Sequence, residues 1–275
     1  MLDWLFTALA PMNRTRVKEV LRSGRVHVNG ASVTRHDHPL RPGDALTLAP
    51  HAPPQEREQV SLLPVVYEDP HLIVIDKPAG LLTVATETEK ADTCFVRLSA
   101  HLAARKAGRP FVVHRLDRDT SGLLLFARSA AVRDRLQASW EGVTKTYLAV
   151  VEGAPSPAEG VIENYLTEGR ALRVRASRHP GKDAKRAASR YKARASRDGY
   201  SLVEVELETG RKHQIRVHMA GLGCPIAGDT VYGAATNPAK RLCLHAWRLC
   251  FDHPVTGERV EVESPPPAAL ARVVG

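Results

Sequence analysis

The stretch 114–127 constrains this chain most, because it changes abruptly from charged to apolar residues. Its second half, residues 122–127, is a short apolar run that predicts a buried strand. Its first half places the carboxylate of Asp117 between Arg115 and Arg118. Fixed cations keep a buried carboxylate ionised, and such carboxylates cluster at functional sites. The alternative is a turn whose acidic and hydroxyl side chains only cap backbone amides.

Composition narrows the class of protein. The chain has 275 residues, 43% of them hydrophobic, which is enough for one sizeable core and a small second domain. Its net charge of +9 indicates an anionic partner, while 5% aromatic residues argue against broad stacking on single-stranded bases. We expect no signal peptide and no membrane span. The four cysteines form no Cys-x-x-Cys pair, so we expect no zinc site and a reducing, cytoplasmic location.

Residues 1–50 predict a compact domain of two helices and a small hairpin. Arg14, Lys18 and Arg22 recur every four residues, so they project from one side of the second helix. The dipeptide Asn29-Gly30 is a strong hairpin signal. A row of cations on such a unit suits nucleic-acid phosphates, and a solvated basic helix face fits the charge pattern equally well.

The rest of the chain predicts a linker and a larger domain. Residues 51–62 contain prolines and charges without apolar periodicity, which is typical of a linker. Residues 63–275 predict a larger domain in which short strands and helices are interspersed. The segment 213–222 is ambiguous, but Ile215 and Met219 fit one helical face, so we favour a short helix.

A basic segment spans residues 170–197, with eleven Lys or Arg residues against one acidic residue. Within it, we expect residues 178–188 to form a loop. Arg190, Lys192 and Arg194 alternate with uncharged residues, which places them on one face of a strand. The local charge favours a nucleic-acid-binding surface, and the alternative is a solvent-facing strand whose charges protect a sheet edge.

Several familiar sites are missing from the sequence. No glycine-rich phosphate loop, dinucleotide-binding fingerprint or Gly-x-Ser-x-Gly elbow occurs. His213 and His218 are five residues apart, which fits no helical metal pair, so we expect both to be hydrogen-bonded structural residues. A carboxylate that acts without metal, cofactor or partner acid suits chemistry at the anomeric carbon of a sugar. On RNA, such chemistry requires the target base to leave the helix.

The motifs resemble, in order, those of the RluA-type pseudouridine synthases. Residues 114–123 resemble the central motif of that family, Lys145-x-Tyr147 the second, and residues 209–218 the third. The other matching segments are Lys77-Pro78-x-Gly80, Pro225-Ile226-x-Gly228-Asp229 with Tyr232-Gly233, and Leu244-His245-Ala246 with His253-Pro254 and Thr256-Gly257. The resemblance covers about residues 65–265. Residues 13–44 are similar to the alpha-L RNA-binding domain of ribosomal proteins and RNA-modifying enzymes, a common companion of this family.

The resemblance implies a role for each matching residue. Asp117 would be the catalytic aspartate, and Arg216 would pair with it and keep it ionised. Tyr147 would stack on the flipped uracil and assist removal of the proton from carbon 5. Arg115 would enter the helical gap left by the flipped nucleotide or hold the displaced partner. The predicted RNA contacts in the third motif are Arg211 and Lys212.

The resemblance also implies the fold and the reaction. We expect an α+β protein, with a catalytic domain on a mixed, largely antiparallel sheet behind a small N-terminal alpha-L RNA-binding domain. The implied reaction isomerises uridine in RNA to pseudouridine without cofactor or metal. We expect a monomer that binds RNA, with large-subunit ribosomal RNA as the substrate and transfer RNA as the alternative. Competing hypotheses are a catalytically silent ribosome-assembly factor and a hydrolase that releases free uracil.

Overall fold

The computed structural model of the chain describes residues 1–22, 24–49, 63–86, 89, 91–169 and 173–275. The predicted linker at 51–62 lies outside the described residues. The chain divides into two compact units, Met1–Val60 and Ser61–Gly275. Within the described ranges, no helix combines the length and the apolar character needed to cross a bilayer.

The first unit is a small helical and β-structured body. Its elements are α1 (Leu2–Ala8), α2 (Arg14–Arg22), β1 (Val26–Val28), β2 (Ala31–Ser32) and β3 (Leu46–Leu48). Strand β1 lies between β2 and β3, and both pairings are antiparallel. Asn29 and Gly30 join β1 to β2 with φ angles of 51° and 81°, the left-handed conformations that a two-residue hairpin turn requires. Arg14, Lys18 and Arg22 are exposed on α2, whose opposite face packs into the apolar core.

The second unit is built on one large sheet. Its elements are, in chain order, β4 (Val65–Glu68), β5 (Leu72–Lys77), α3 (Cys94–Ala104), β6 (Phe111–Val112), β7 (Ser121–Ala127), α4 (Ala130–Ala138), β8 (Thr144–Glu152), β9 (Glu159–Glu168), β10 (Val174–Ser177), β11 (Lys185–Arg197), β12 (Tyr200–Leu207), α5 (Gln214–Gly221), β13 (Leu244–Asp252), β14 (Arg259–Glu263) and α6 (Ala268–Val274).

The strand order is β10-β9-β11-β12-β8-β13-β7-β5-β4, with β14 beside β13 and β6 beside β7. Only β13 and β7 pair in parallel among the described strands; every other pairing is antiparallel. The predicted α+β class with a mixed, largely antiparallel sheet is therefore confirmed.

Strand β7 is the buried strand that the opening stretch predicts, and all seven of its residues are buried. Leu123 and Leu125 pack into one apolar cluster, whereas Leu124 packs into another, so both faces of the strand are covered. Gly122 has a φ of +109°, and a Cβ there would lie 2.7 Å from the backbone nitrogen of Ala246. Only glycine fits at this close approach of β7 to β13.

Two local predictions have different outcomes. The helix favoured for residues 213–222 is confirmed as α5. The loop predicted for 178–188 is wrong at its C-terminal end, because β11 already begins at Lys185. There β11 pairs with β9, and the small side chains of Ala187 and Ala188 are buried in the sheet. The loop was predicted from the high density of charged residues, and two buried strand positions within the segment were therefore missed.

Candidate active site

A cavity of about 680 Å³ in the second unit collects side chains from distant parts of the sequence. Asp117 comes from the turn before β7, Tyr147 from β8 and Arg216 from the first turn of α5. Three predicted RNA contacts also line the cavity, namely Arg115, Arg211 and Lys212. The fold thus assembles in one place the residues that were predicted from three separate motifs.

The turn that carries Asp117 is fixed from beneath by two buried side chains. The ammonium of Lys77 donates to three backbone carbonyls, one of which is that of Arg118 at 2.8 Å. The hydroxyl of Thr83 donates to the carbonyl of Leu116 at 2.9 Å and accepts the N–H of the same residue at 3.1 Å. Burial lowers the pKa of Lys77 to about 8. Both neighbours of Asp117 are therefore held by hydrogen bonds to their backbone.

Arg216 has a closer partner than the one predicted for it. Its Nε and Nη2 donate to the two carboxylate oxygens of Asp229, both at 2.7 Å, while its Nη1 lies 3.9 Å from Oδ2 of Asp117. Burial lowers the pKa of Arg216, but the hydrogen bond and charge of Asp229 outweigh it, so the net shift is upward. The predicted direct pairing with Asp117 is thus corrected to a longer contact. The two arginines close to Asp117 in sequence, Arg115 and Arg118, are exposed, and neither forms an ion pair with Asp117 within 4 Å in the described structure.

His213 is a site residue that the sequence analysis treated as structural. Its Nε2 lies 3.9 Å from Oδ2 of Asp117, and its Nδ1 lies 2.8 Å from the hydroxyl of Tyr232. That hydroxyl also accepts the N–H of Val174 at 3.0 Å, so two contacts fix the hydroxyl that holds the imidazole of His213 in place. Burial lowers the pKa of His213, and the charge of Asp117 opposes this shift. His218 is structural as predicted, because it is buried between polar side chains of β9 and β11.

Tyr147 presents a half-buried ring to the cavity. Its hydroxyl makes no hydrogen bond to any residue that the structure describes. Burial first, and the negative charge of Asp117 second, raise the pKa of the Tyr147 phenol, so the group stays protonated at neutral pH. A neutral ring next to a carboxylate offers a stacking surface for a planar base.

The predicted cations of β11 differ in how far they are neutralised. Lys192 binds Glu159 at 2.8 Å, and Arg194 binds Glu204 through two nitrogens. Arg190 is exposed and has no carboxylate within 4 Å in the described part of the chain. All three are exposed, as the strand alternation predicted, but Arg190 is the one whose charge is unmatched.

The cations around the cavity also differ in whether a nearby carboxylate neutralises them. Arg115 is exposed, and within the described residues no carboxylate lies within 4 Å of it. Arg211 uses its Nε to bind the backbone carbonyl of Arg186 at 3.0 Å, which fixes its position without neutralising it. Lys212 binds Glu168 at 2.8 Å. Arg115 and Arg211 thus contribute positive charge that no carboxylate offsets within 4 Å in the described part of the chain.

The groups that most often bind metals are dispersed or protonated. Across the ranges that the structure describes, no three His, Cys, Asp or Glu side chains cluster so as to hold a metal ion. The four cysteines are buried free thiols. Burial raises the pKa of each of them, that of Cys94 to about 11, which favours the unreactive thiol.

Comparison with known proteins identifies the family. The sequence profile of the RNA pseudouridylate synthase family matches residues 71–221, a range that contains Asp117, Tyr147 and Arg216. The chain belongs to this family. It is an RNA pseudouridine synthase, an isomerase that modifies RNA.

Close relatives of the synthase share nearly its whole length. It is 37% identical to the uncharacterised RNA pseudouridine synthase YlyB of Bacillus subtilis, over 95% of this chain and 88% of that protein. It is 36% identical to the ribosomal large subunit pseudouridine synthase D of Xanthomonas campestris, over 99% of this chain and 87% of that protein. These relatives confirm the RluA-type assignment made from the motifs.

Solved structures support the same fold. The synthase matches the human RNA pseudouridylate synthase domain containing 4 with a TM-score of 0.63 and 26% identity, over 76% of this chain and 90% of that one. It matches the human RNA pseudouridylate synthase domain containing 1 with a TM-score of 0.60 and 29% identity, over 76% and 85% of the two chains.

Sequence reasoning treated His213 as structural and assigned no role to two other residues near the carboxylate, Asp229 and Tyr232. All three lie in segments that matched the family's motifs. The missing information was spatial, because these residues matter through their contacts with Arg216 and with one another. Only the packing of α5 against the segment after it reveals those contacts.

Proposed function

We propose that the synthase isomerises uridines of large-subunit ribosomal RNA and that Asp117 is its catalytic carboxylate. The observation that carries the proposal is the convergence of Asp117, Tyr147 and Arg216 on one cavity from three separate elements. The ribosomal substrate is supported by relatives named ribosomal large subunit pseudouridine synthase D, which are similar over at least 84% of their length.

Each residue has a distinct task in this proposal. Asp117 acts where the glycosidic bond breaks, because its carboxylate is held at the cavity by a fixed turn. Tyr147 stacks on the uracil after the nucleotide has flipped out of the helix. Arg216, clamped by Asp229, keeps a positive charge 3.9 Å from the carboxylate. Arg115, at the cavity, fills the gap that the flipped nucleotide leaves in the RNA.

Binding of the RNA is distributed over both units. We assign phosphate contacts to Arg190, Lys192, Arg194, Arg211 and Lys212 in the second unit, and to Arg14, Lys18 and Arg22 in an RNA-binding domain at residues 1–50. The support is the exposure of the α2 and β11 cations, together with the regular spacing of the α2 cations and the alternation of Arg190 and Lys192 on β11. Residues 63–275 form the catalytic domain in this assignment.

The test compares RNA from cells with and without the protein. Pseudouridines in ribosomal and transfer RNA are mapped by carbodiimide-dependent reverse-transcription stops. We expect at least one large-subunit site to vanish without the protein and to return with the wild type but not with Asp117→Asn. The matched control is Asp119→Asn, an equal change at an exposed residue of the same turn, and it restores the site.

Purified proteins distinguish the competing functions. Asp117→Asn keeps the shape of the side chain, so we expect unchanged RNA affinity and a rate at least about 10³-fold lower. Loss of transfer-RNA sites alone would refute the ribosomal substrate. Release of free uracil would indicate a hydrolase. Persistence of every site, together with undiminished turnover by Asp117→Asn, would refute the catalytic assignment.

A further inference from the structure

Lys145 is a buried lysine in the wall of the same cavity with no assigned role. It lies on β8 two residues before Tyr147, so the two side chains share one face of the strand. Both line the cavity, and Lys145 is only 6% exposed. Lysine is almost never buried to this extent unless a partner binds its charge.

The ammonium of Lys145 lacks such a partner in the described structure. Its single hydrogen bond goes to the backbone carbonyl of Trp140 at 3.2 Å, although an ammonium has three N–H donors. None of the described carboxylates lies within 4 Å of it. Burial lowers the pKa of the Lys145 ammonium, and the negative charges of Glu141 and Glu206 oppose this shift from a greater distance. Two donors therefore remain for a ligand in the cavity.

The surroundings of Lys145 favour a neutral, planar ligand group over a solvated ion. Its Nζ lies 5.6 Å from the ring centre of Trp140, and His114 stacks on that ring at 4.7 Å. Burial, and secondly the charge of Lys145, lower the pKa of His114 to about 3, so this imidazole is neutral. The part of the wall next to Lys145 thus contains two stacked, uncharged rings, and a partly desolvated cation there interacts more strongly with a ligand than it would in water.

The spacing on β8 relates Lys145 to the base that Tyr147 binds. Alternate residues of a strand are roughly 7 Å apart, close to the breadth of a uracil ring with its carbonyl groups. A uracil stacked on Tyr147 can therefore present a carbonyl oxygen to Lys145. We propose that Lys145 donates a hydrogen bond to a carbonyl oxygen of the flipped uracil and stabilises the negative charge that the base carries after glycosidic cleavage. This inference rests on the proposed function.

The electron balance of the reaction shows why a cation is useful there. When the C1′–N1 bond breaks, its electron pair stays on uracil and is shared by N1, O2 and O4. The C1′–C5 bond then forms with an electron pair of the base, C5 loses its proton and N1 gains one. The isomerisation is redox-neutral and has no net proton change. Lys145 transfers no proton and acts only while the base is anionic, when a preorganised donor is most effective.

The test measures RNA affinity and single-turnover rate separately for Lys145→Met, Lys145→Arg and the wild type. Methionine keeps the length and apolar stem and removes the charge. We expect an RNA Kd within about twofold of wild type and a rate about 100-fold lower, as for loss of one oxyanion donor. Arginine keeps the charge and restores part of the rate. Lys212→Met is the contrast, a cavity lysine whose loss weakens RNA binding.

A second substrate separates charge stabilisation from a structural role. In RNA that carries 5-fluorouridine, the electron-withdrawing fluorine already stabilises the base anion. We expect the loss caused by Lys145→Met, followed as consumption of substrate, to shrink to about tenfold or less. An equal decrease in rate on both substrates would overturn the proposal, because the effect of a packing defect does not depend on the acidity of the base.

The remaining outcomes are equally decisive. If Lys145→Met weakens RNA binding and lowers its salt dependence while the saturated rate is unchanged, the ligand is a phosphate and the proposal is wrong. A variant rate within about threefold of wild type overturns it as well. An inactive wild type refutes the proposed function itself, whereas an active wild type with an unaffected variant refutes only the role of Lys145.

Discussion

The buried pair Arg216–Asp229 gives the sharpest prediction about stability, because the chain contains an exposed pair of the same geometry. Arg216 binds both oxygens of Asp229 at 2.7 Å, with side chains 10% and 1% exposed. Arg186 binds both oxygens of Glu163 at 2.9 and 2.8 Å, with side chains 47% and 52% exposed. The two pairs differ strongly in burial, and each arginine also has a second, longer carboxylate contact, Arg186 with Glu208 at 3.6 Å and Arg216 with Asp117 at 3.9 Å.

Asp229→Asn removes one charge and leaves the buried Arg216 guanidinium with only the longer contact to Asp117, at 3.9 Å, as its remaining ion pair in the described structure. Breaking a buried pair in this way lowers the free energy of unfolding by about 3–5 kcal/mol. The amide oxygen of asparagine can still accept a hydrogen bond, so we expect a loss at the lower end, about 3 kcal/mol. In a domain of this size, that corresponds to a decrease in Tm of about 6–12 °C. Glu163→Gln is the control, and its expected loss is at most about 1 kcal/mol because solvent screens the exposed pair.

Urea unfolding at pH 7.5, followed by tryptophan fluorescence and far-UV circular dichroism, measures both variants. Trp140 and Trp247 belong to the second unit, so fluorescence is weighted toward the relevant domain. We expect unchanged m values and a shifted midpoint for Asp229→Asn. If the two variants lose the same free energy within about 0.5 kcal/mol, burial does not govern this pair and our account of Arg216 is wrong.

Three further predictions use other parts of the second unit. The pKa of Lys77 falls from 10.5 to about 8 on folding, so the unfolded chain binds more protons than the folded one between those pH values. In urea unfolding, we expect the free energy of unfolding of the wild type, relative to that of Lys77→Met, to rise by up to about 3 kcal/mol as the pH increases from 8 to 10.5. A difference between the two proteins that does not change with pH would contradict this. Gly122→Ala should yield insoluble or strongly destabilised protein in a thermal-unfolding assay, because its φ is +109° and backbone atoms fill the space of a Cβ, whereas Gly142→Ala, with open space around it, should be tolerated. Arg190→Gln should lower the slope of log RNA affinity against log salt by about 0.7–0.9, and Lys192→Gln should lower it less, because Lys192 already binds a glutamate; equal slopes would refute the distinction.

The features that the sequence predicted well are set by local physics. Strand β7 follows from an uninterrupted apolar run, and α5 from the helical spacing of Ile215 and Met219. The Asn29-Gly30 turn follows from the positive φ angles that these residues tolerate. In each case the free energy that decides the structure comes from residues within a few positions of one another.

The features that the sequence did not predict depend on contacts between distant segments. Arg216 could bind either Asp117 or Asp229, and nothing in the local sequence decides between them. The packing decides, because Asp229 is 2% exposed and lies where the guanidinium can bind it with both arms. His213 was missed for a similar reason. It has a left-handed φ of 54°, which places its side chain outside the periodicity of α5 from which its role was judged.

The correction to Arg216 changes the electrostatics expected for Asp117. A direct, hydrogen-bonded ion pair would offset the charge of the carboxylate and hold its side chain in place. In the observed arrangement the charge of Arg216 is already matched by Asp229, and His213 is neutral above its lowered pKa. At 3.9 Å a unit charge is worth about 4 kcal/mol at an effective dielectric constant of 20, and less where water enters. The side chain of Asp117 is 30% exposed, and Arg216 and His213 both lie 3.9 Å from its Oδ2. The turn therefore orients Asp117 without a short ion pair to its carboxylate, which in the proposed function leaves that carboxylate accessible to the RNA.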